Sequence, residues 1–447
     1  MRGLALRALC VIGACLCGSL SAQTTNSLAS SSTAPSPPGA GPIRNINLTD
    51  PTGIAKASLD GDQDQLALVA STTSNGPDVL AKALRERSLY QLDASSKTVA
   101  HCGDASRLGD SSANVQCAFV LAGNKLLVND IAGWAKIMQA NKTIAYPKLA
   151  QAIGKLMHLD SSSLRISEFE VIPDYRPFFT VPAVTVSRKA EAFDLALEQQ
   201  AVSEDGQANV YAIKVLINGQ PTRLVFDTGT SVVLLSADDA KKLDISPIYP
   251  NWISLPGSGY SSLGVVKHLT IGAVDIANMP VAISSKPLKY PVLGLSAIQY
   301  LQAFRIHGDT LHSATNSFAD CTTPMDMASE VNGMSQGLVV RGTIDGHAFP
   351  FSVATGMAGG IMRSHYGSPS ESASATPITT LSPFGAEYAW YSHAHGVMQI
   401  GNSPSGDQAY QVMYHAGHTR FRYYLGADYV RQHDLTMDFN RGVTCLK

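Results

Sequence analysis

The stretch RLVFDTGTSVVL (residues 223–234) reads as a buried strand running into a tight turn, with Asp227 at the strand's end and Gly229 inside the turn. A later stretch, FPFSVATGMAGG (residues 349–360), has the same shape, but Ala354 stands where the first has Asp227. Each is entered through a two-residue hairpin signal, Asn218-Gly219 and Asp345-Gly346, the pairs that suit a turn with positive φ at both central positions. Gly219 and Asp227 stand eight positions apart, and so do Gly346 and Ala354. Downstream, YPVLGLSAIQYLQAFRIHGDTL and YYLGADYVRQHDLTMDFNRGVTCL both place two bulky apolar residues before a glycine, then a short helical segment and a closing strand. The repeated order of signals marks an internal duplication. It predicts two β-rich lobes in tandem, a first over 205–320 and a second over 335–447.

The rest of the 447-residue chain must be read around those lobes. With 45% apolar and 15% charged residues it is composed to fold rather than to stay disordered. A formal net charge of −2 gives no electrostatic case for binding nucleic acid or anionic lipid. The opening MRGLALRALCVIGACLCGSLSAQ has arginines flanking a short apolar run that ends in small residues, an export signal over 1–22. Two processing routes fit it. Cleavage near Ser21 or Ala22 releases a soluble protein, whereas Ile12-Gly13-Ala14-Cys15 is similar to a lipoprotein signal and leaves a lipid anchor on Cys15. Either route places the protein in the periplasm or cell envelope.

Residues 23–60, rich in Ser, Thr, Ala, Pro and Gly, read as a flexible tether. Residues 61–165 read as a small helical domain. Pro77 opens a helix with Val79, Leu80, Ala83 and Leu84 on one stripe; Asp130 caps another carrying Trp134, Ile137 and Met138; a third begins at Pro147. Four cysteines lie outside the signal, an even number that favours two disulfides in an exported chain. Cys102 with Cys117 and Cys321 with Cys445 is the expected pairing of the three that four cysteines allow. No C-x-x-C spacing suggests a zinc site.

A carboxylate at the end of a buried strand, followed by a small polar residue and Gly, is a plausible general base for activating water. Two such carboxylates facing each other share one proton and supply base and acid together. Here the sequence resembles the retropepsins, the aspartic proteases of the retroviral type, and their exported bacterial relatives with helical N-terminal extensions. The resemblance runs over about residues 205–447. Phe226-Asp227-Thr228-Gly229-Thr230 matches the hydrophobic-Asp-Thr-Gly-Ser/Thr/Ala signature, and Val292-Leu293-Gly294 is similar to the second hallmark.

The resemblance implies a mainly β, two-lobed acid-protease fold behind a small helical domain. It implies Asp227 as the catalytic carboxylate, Thr228 as the brace between lobes and Thr230 as the supporting hydroxyl. It places a substrate-covering flap over 254–272, with Gly257, Ser258, Gly259 and Tyr260 at its tip, and a polypeptide as the ligand. No cofactor is implied. The second lobe departs selectively: Ala354 replaces the aspartate and Met357 the hydroxyl, while Thr355 and Gly356 survive. Two readings stay open. Asp227 activates water for peptide-bond hydrolysis, with a second aspartate supplied by pairing of first lobes in a homodimer; or the chain is a catalytically inactive relative that binds peptides or cell-envelope ligands in the covered groove.

Other features read as structural. His393 and His395, with His415 and His418, are i, i+2 and i, i+3 pairs that two adjoining strands would have to bring together before they held Zn or Cu. Asp428 reads as a helix cap and Asp438 as a strand end. Ser231 has no neighbouring His and Asp in a nucleophile motif.

Overall fold

Both hairpin turns have the backbone their sequences predict, with φ of 50° and 80° at Asn218 and Gly219 and of 49° and 77° at Asp345 and Gly346. The strands they join are therefore in register, Lys214 opposite Arg223 in one and Gly342 opposite Phe349 in the other. The computed structural model describes residues 51–72, 77–100, 112–142, 174–203, 208–255, 259–366, 374–415 and 421–447. The second strands of the two hairpins, Gln220–Phe226 and His347–Val353, run from exposed to buried. Leu224, Val225 and Phe226 end one and Phe351, Ser352 and Val353 the other, all buried. Burying each large apolar side chain of this kind contributes about 1.5–3 kcal/mol, so the strand ends are anchored and the following turns are held in place.

The same connections recur in both lobes. Val292–Leu293 pairs parallel with Val225–Phe226 and antiparallel with Leu234. Tyr423–Leu425 pairs parallel with Phe351–Val353 and antiparallel with Ile361–Arg363. In the first lobe the strand Leu234–Ser236 lies parallel to 282–284, and in the second Ile361–Tyr366 lies parallel to 411–415. Each lobe closes a long hairpin strand back onto its opening strand, 269–270 onto 216–217 and 398–400 onto 342–344. Among the described residues the first lobe is a nine-stranded sheet, the second an eight-stranded one. The fold is mainly β, two-lobed, with helices before it.

A third, five-stranded sheet joins the lobes. Its middle strand Ala303–His307 from the first lobe pairs with Leu435–Asp438 from the second, and Thr310–Ala314, Ala192–Ala196 and Val443–Leu446 extend it. Cys321 and Cys445 are disulfide-bonded beside it. Cys117 is buried and disulfide-bonded, while Cys102 lies outside the described residues.

Three boundaries differ from the sequence reading. A helix occupies Pro51–Asp60, inside the expected tether, because Ile54, Ala55, Ala57 and Ser58 make a buried stripe within the small-residue composition. Strands at Thr185–Arg188, Ala192–Ala196 and Glu198–Ala201 precede residue 205 and join the sheets; their exposed, charge-bearing faces mask them. The second lobe likewise gains Asp326–Ser329, paired to Gln336–Val339, ahead of residue 335. The helix expected from Pro147 lies outside the described residues.

The helices Gln63–Thr72, Pro77–Ser88, Leu92–Val99 and Ser112–Leu127, and a further one over 131–142, form a layer against the lobes. Leu80, Ala83 and Leu84 pack with Leu66, Val69, Val99 and Val120, while Trp134 sits edge-on to Tyr175 and Phe178. The contact with the lobes is close: a Cβ on Gly123 would lie 2.7 Å from the backbone of Asn332 and Gly333. Among the described residues no helix is long and apolar enough to cross a membrane.

Candidate active site

The two turns meet. A Cβ placed on Gly229 would stand 2.9 Å from the Ala354 methyl and 3.2 Å from Asp227 Oδ1, and one on Gly356 would stand 2.5 Å from Asp227 Cγ. Residues 227 and 354 thus face each other on the floor between the lobes, and both glycines are required by close approach rather than by φ.

Around that floor a reciprocal set of bonds holds the lobes. Thr228 Oγ1 donates to Val353 O at 2.7 Å and Thr355 Oγ1 donates to Phe226 O at 2.8 Å. Each hydroxyl also accepts from the other's backbone: Thr228 N donates to Thr355 Oγ1 at 3.0 Å, and Thr355 N to Thr228 Oγ1 at 3.4 Å. Both threonines are fully buried, so every donor and acceptor in the set depends on its partner across the interface. The arrangement is a pseudo-two-fold within one chain.

Asp227 accepts three hydrogen bonds. Gly229 N and Gly356 N donate to Oδ1 at 2.8 and 3.0 Å, and Thr230 Oγ1 donates to Oδ2 at 2.5 Å. One donor therefore comes from the second lobe, which supports the carboxylate without supplying another. The hallmark glycines have a common cause. Asp227 N donates to Leu293 O and Ala354 N to Leu425 O, which packs each following glycine against its turn. A Cβ on Gly294 would stand 2.6 Å from Thr230 O, and one on Gly426 2.7 Å from Met357 O.

Other expected site residues fall differently. Gly257 and Ser258 lie outside the described residues, but Gly259 and Tyr260 are in the ladder opposite Leu255 and Ser254 rather than at the tip of that hairpin. Ser231 is structural: its Oγ accepts from Gln336 N at 2.6 Å and donates to Gln336 O at 3.1 Å. His393 and His395 are exposed on one face of a strand, opposite Gln411 and Ala409. That register leaves His415 four positions from Gln411, about 13 Å along the strand; His418 lies outside the described residues. Among the described residues no group of three His, Cys, Asp or Glu side chains is placed to hold a metal. Asp428 sits in the first turn of Ala427–Gln432, whose N-cap is Gly426, and pairs with Arg431 at 2.6 Å. Asp438 ends its strand and accepts from Arg441 N.

Sequence reading did not find the second lobe's own long hairpin, Thr376–Ser382 with Gly385–Ile400, whose tip bonds to the first lobe from Lys289 N to Pro383 O at 2.7 Å. The Pro383-Phe384-Gly385 turn between two alternating stretches was the available signal.

A family model described as gag-polyprotein putative aspartyl protease matches residues 213–300, which hold the Asp-Thr-Gly turn and the Val292-Leu293-Gly294 element. Among solved structures, a retropepsin-like aspartic protease from Rickettsia conorii is similar at 20% identity over 29% of this chain and 92% of that one, with a TM-score of 0.22. Basic 7S globulin from soybean is similar at 13% identity over 57% and 94%, TM-score 0.33, and edgp at 10% over 58% and 95%, TM-score 0.36. No curated protein sequence matches the chain. The matched segment lies within the first lobe, and the connections of that lobe recur in the second.

Proposed function

We propose that the protein binds an extended polypeptide in the cleft over Asp227 and does not cleave it as a shared-proton dyad would. The observation that carries this reading is the Ala354 methyl facing Asp227 across a fully formed lobe interface. One carboxylate activates water or protonates the leaving group, but does not hold both roles in the same step. A peptide laid along such a cleft is held by main-chain bonds to hairpin edges, and these require no second aspartate.

A homodimer that pairs first lobes would supply the second carboxylate, but here Thr355 and the shared five-stranded sheet already occupy the docking surface of the first lobe. A second reading, endopeptidase action by Asp227-activated water, is favoured by one observation: Asp227 keeps all three of its donors. The sequence signal adds an exported location, with release or lipidation at Cys15 to be separated by mass spectrometry of the mature N-terminus.

Cleavage of denatured casein between pH 3 and 7 tests the pair of readings. The wild type is expected to give no cleavage that Asp227→Asn removes. The double change Ala354→Asp with Met357→Thr rebuilds the missing carboxylate and its hydroxyl, and is expected to gain acid-dependent cleavage that Asp227→Asn abolishes. Wild-type cleavage lost in Asp227→Asn establishes the endopeptidase reading instead.

A further inference from the structure

Alternate side chains of the strand Ile361–Tyr366 face opposite sides of its sheet. Met362 packs with Tyr391, Met357 and Met413 on one side, while Ile361 enters the second-lobe core on the other. Arg363 shares the side of Ile361. Ile361 pairs with Leu425, whose carbonyl accepts from Ala354 N, and Arg363 stands two residues, about 7 Å, further along the strand from that turn. Its neighbours across the sheet are Tyr423 and Val412, both buried in the same core, and Arg363 itself is half-buried. The lobe therefore carries a guanidinium where its core meets the surface, on the side away from the floor of the cleft.

A second guanidinium lies close to it. Arg422 is exposed, and its Cζ stands 5.5 Å from the centre of the Phe349 ring and 5.8 Å from that of Tyr423. Its carbonyl accepts from Ser364 N at 2.8 Å, which ties its backbone to the residue after Arg363. Burial pushes the Tyr423 hydroxyl up, Arg363 and Arg422 pull it down, and Tyr410 and Asp345 push it up by less. Both cations thus lie within electrostatic reach of one phenol.

What the pair lacks is an acceptor. Arg363 Nε is buried and meets none, and among the described residues neither guanidinium forms a hydrogen bond or an ion pair. Other arginines of the chain are matched: Arg176, Arg223, Arg305, Arg341 and Arg431 each hold a carboxylate. Asp345, the carboxylate that acts on the same phenol, accepts from Val397 N at 2.9 Å and pairs with neither arginine. A buried, charged N–H without an acceptor is costly, and two like charges near one phenol repel. An oxyanion between them removes both penalties, because the guanidinium fork matches the oxygens of a phosphate or carboxylate in pairs.

We propose that Arg363 and Arg422 bind the phosphate or carboxylate group of a ligand at this end of the second lobe, with the Phe349 and Tyr423 rings as the apolar floor beneath it. The site is separate from the cleft over Asp227 and does not depend on what the cleft holds.

Isothermal titration of the full mature chain with inorganic phosphate and, separately, with acetate reads the site directly. One saturable site is expected, and Arg422→Gln is expected to weaken it at least tenfold. Arg363→Lys keeps the charge and loses the fork, with at least a fivefold loss expected. Arg85→Gln, which removes an exposed arginine of the helical layer, should change the affinity less than twofold. Tighter phosphate than acetate identifies a phosphate-bearing ligand and the reverse a carboxylate-bearing one; either supports the site. Should urea unfolding show that Arg363→Lys destabilises the fold, Arg422→Gln at the exposed position decides alone. Absence of saturable binding by both ions, binding that Arg422→Gln leaves within twofold of the wild type, or an equal loss in Arg85→Gln overturns the proposal.

Discussion

Asp227 and Ala354 differ by one carboxyl group, yet the threonine and glycine after each are the same, and the reason is visible in what those residues bond. Thr355 Oγ1 donates to Phe226 O and accepts from Thr228 N, both in the other lobe. Thr355→Val preserves shape but leaves a buried carbonyl and a buried N–H without partners, each costing about 1–3 kcal/mol. Urea unfolding is expected to show a loss of about 2–4 kcal/mol, and a loss under 1 kcal/mol would mean the interface does not need this bond. A carboxyl group outside the two turns behaves differently. Asp326 is buried where the helical layer meets the second lobe, and burial pushes its carboxyl up to about 6, against the opposing pull of Arg341 at 3.2 Å and of Gln63. Its folded value lies above its unfolded one of about 4. The native state therefore holds the proton more tightly, so the contribution to stability is complete below about pH 4 and is lost as pH rises through about 6. Two pH units correspond to about 3 kcal/mol. Asp326→Asn should flatten the stability profile between pH 4 and 7, measured by urea titration at each pH; an unchanged slope would assign the dependence elsewhere.

At the scale of elements, what was legible in the chain is what local chemistry sets. Asn218-Gly219 and Asp345-Gly346 demand positive φ, so turn, register and the position of the next strand's end follow from a few neighbouring residues. Gly294 and Gly426 were legible for the same reason, since each must let a turn's carbonyl approach where a Cβ would collide. What was not legible rests on pairings between distant residues. The strands at 192–196 and 303–307 are separated by the whole first lobe and share a sheet with 435–438 only because both lobes are in place. The reach of Pro383 to Lys289 is likewise a property of the assembled cleft. The Cys321–Cys445 disulfide is a long-range tie too, closing a separation of 124 residues, but it was legible, because four cysteines outside the signal allow only three pairings. In the chain-entropy account a loop of that length is worth about 5 kcal/mol. Replacing both cysteines by alanine should lower unfolding stability by about that much under oxidising conditions and leave no difference from the wild type once both are reduced. A variant as stable as the oxidised wild type would show that the shared sheet already fixes the C-terminal strand.

For the molecule as a whole, the helical layer is held to the lobes by a buried cation. Arg87 is fully buried and spends its guanidinium on four acceptors: Asn124 Oδ1 at 2.7 Å, Val120 O at 2.5 Å, Glu330 O at 2.8 Å and Val331 O at 2.9 Å. Two of these belong to the helices and two to the 330–331 segment entering the second lobe, so one side chain spans the joint. Burial pulls the guanidinium down to about 9, and its four acceptors are all neutral carbonyl oxygens. Close by, Ser58 Oγ donates to Ser329 O, Gln63 Nε2 to Met325 O, and Arg341 to Gly61 O and Asp64. The Ser58 bond is buried but neutral and the others are part-buried or exposed, so each is worth less than a buried, charge-assisted bond. Arg87→Met keeps most of the volume and removes every donor, taking their Arg87 bonds from Asn124 Oδ1 and Val331 O and leaving Glu330 O with the Gly333 N–H alone. The helices should then open as a unit before the lobes do. Hydrogen exchange in Pro77–Ser88 and Ser112–Leu127 is expected to accelerate at least a hundredfold, about 3 kcal/mol, while the Gln220–Phe226 and His347–Val353 strands keep their protection. Acceleration spread evenly over helices and strands would instead make the layer and the lobes one cooperative unit.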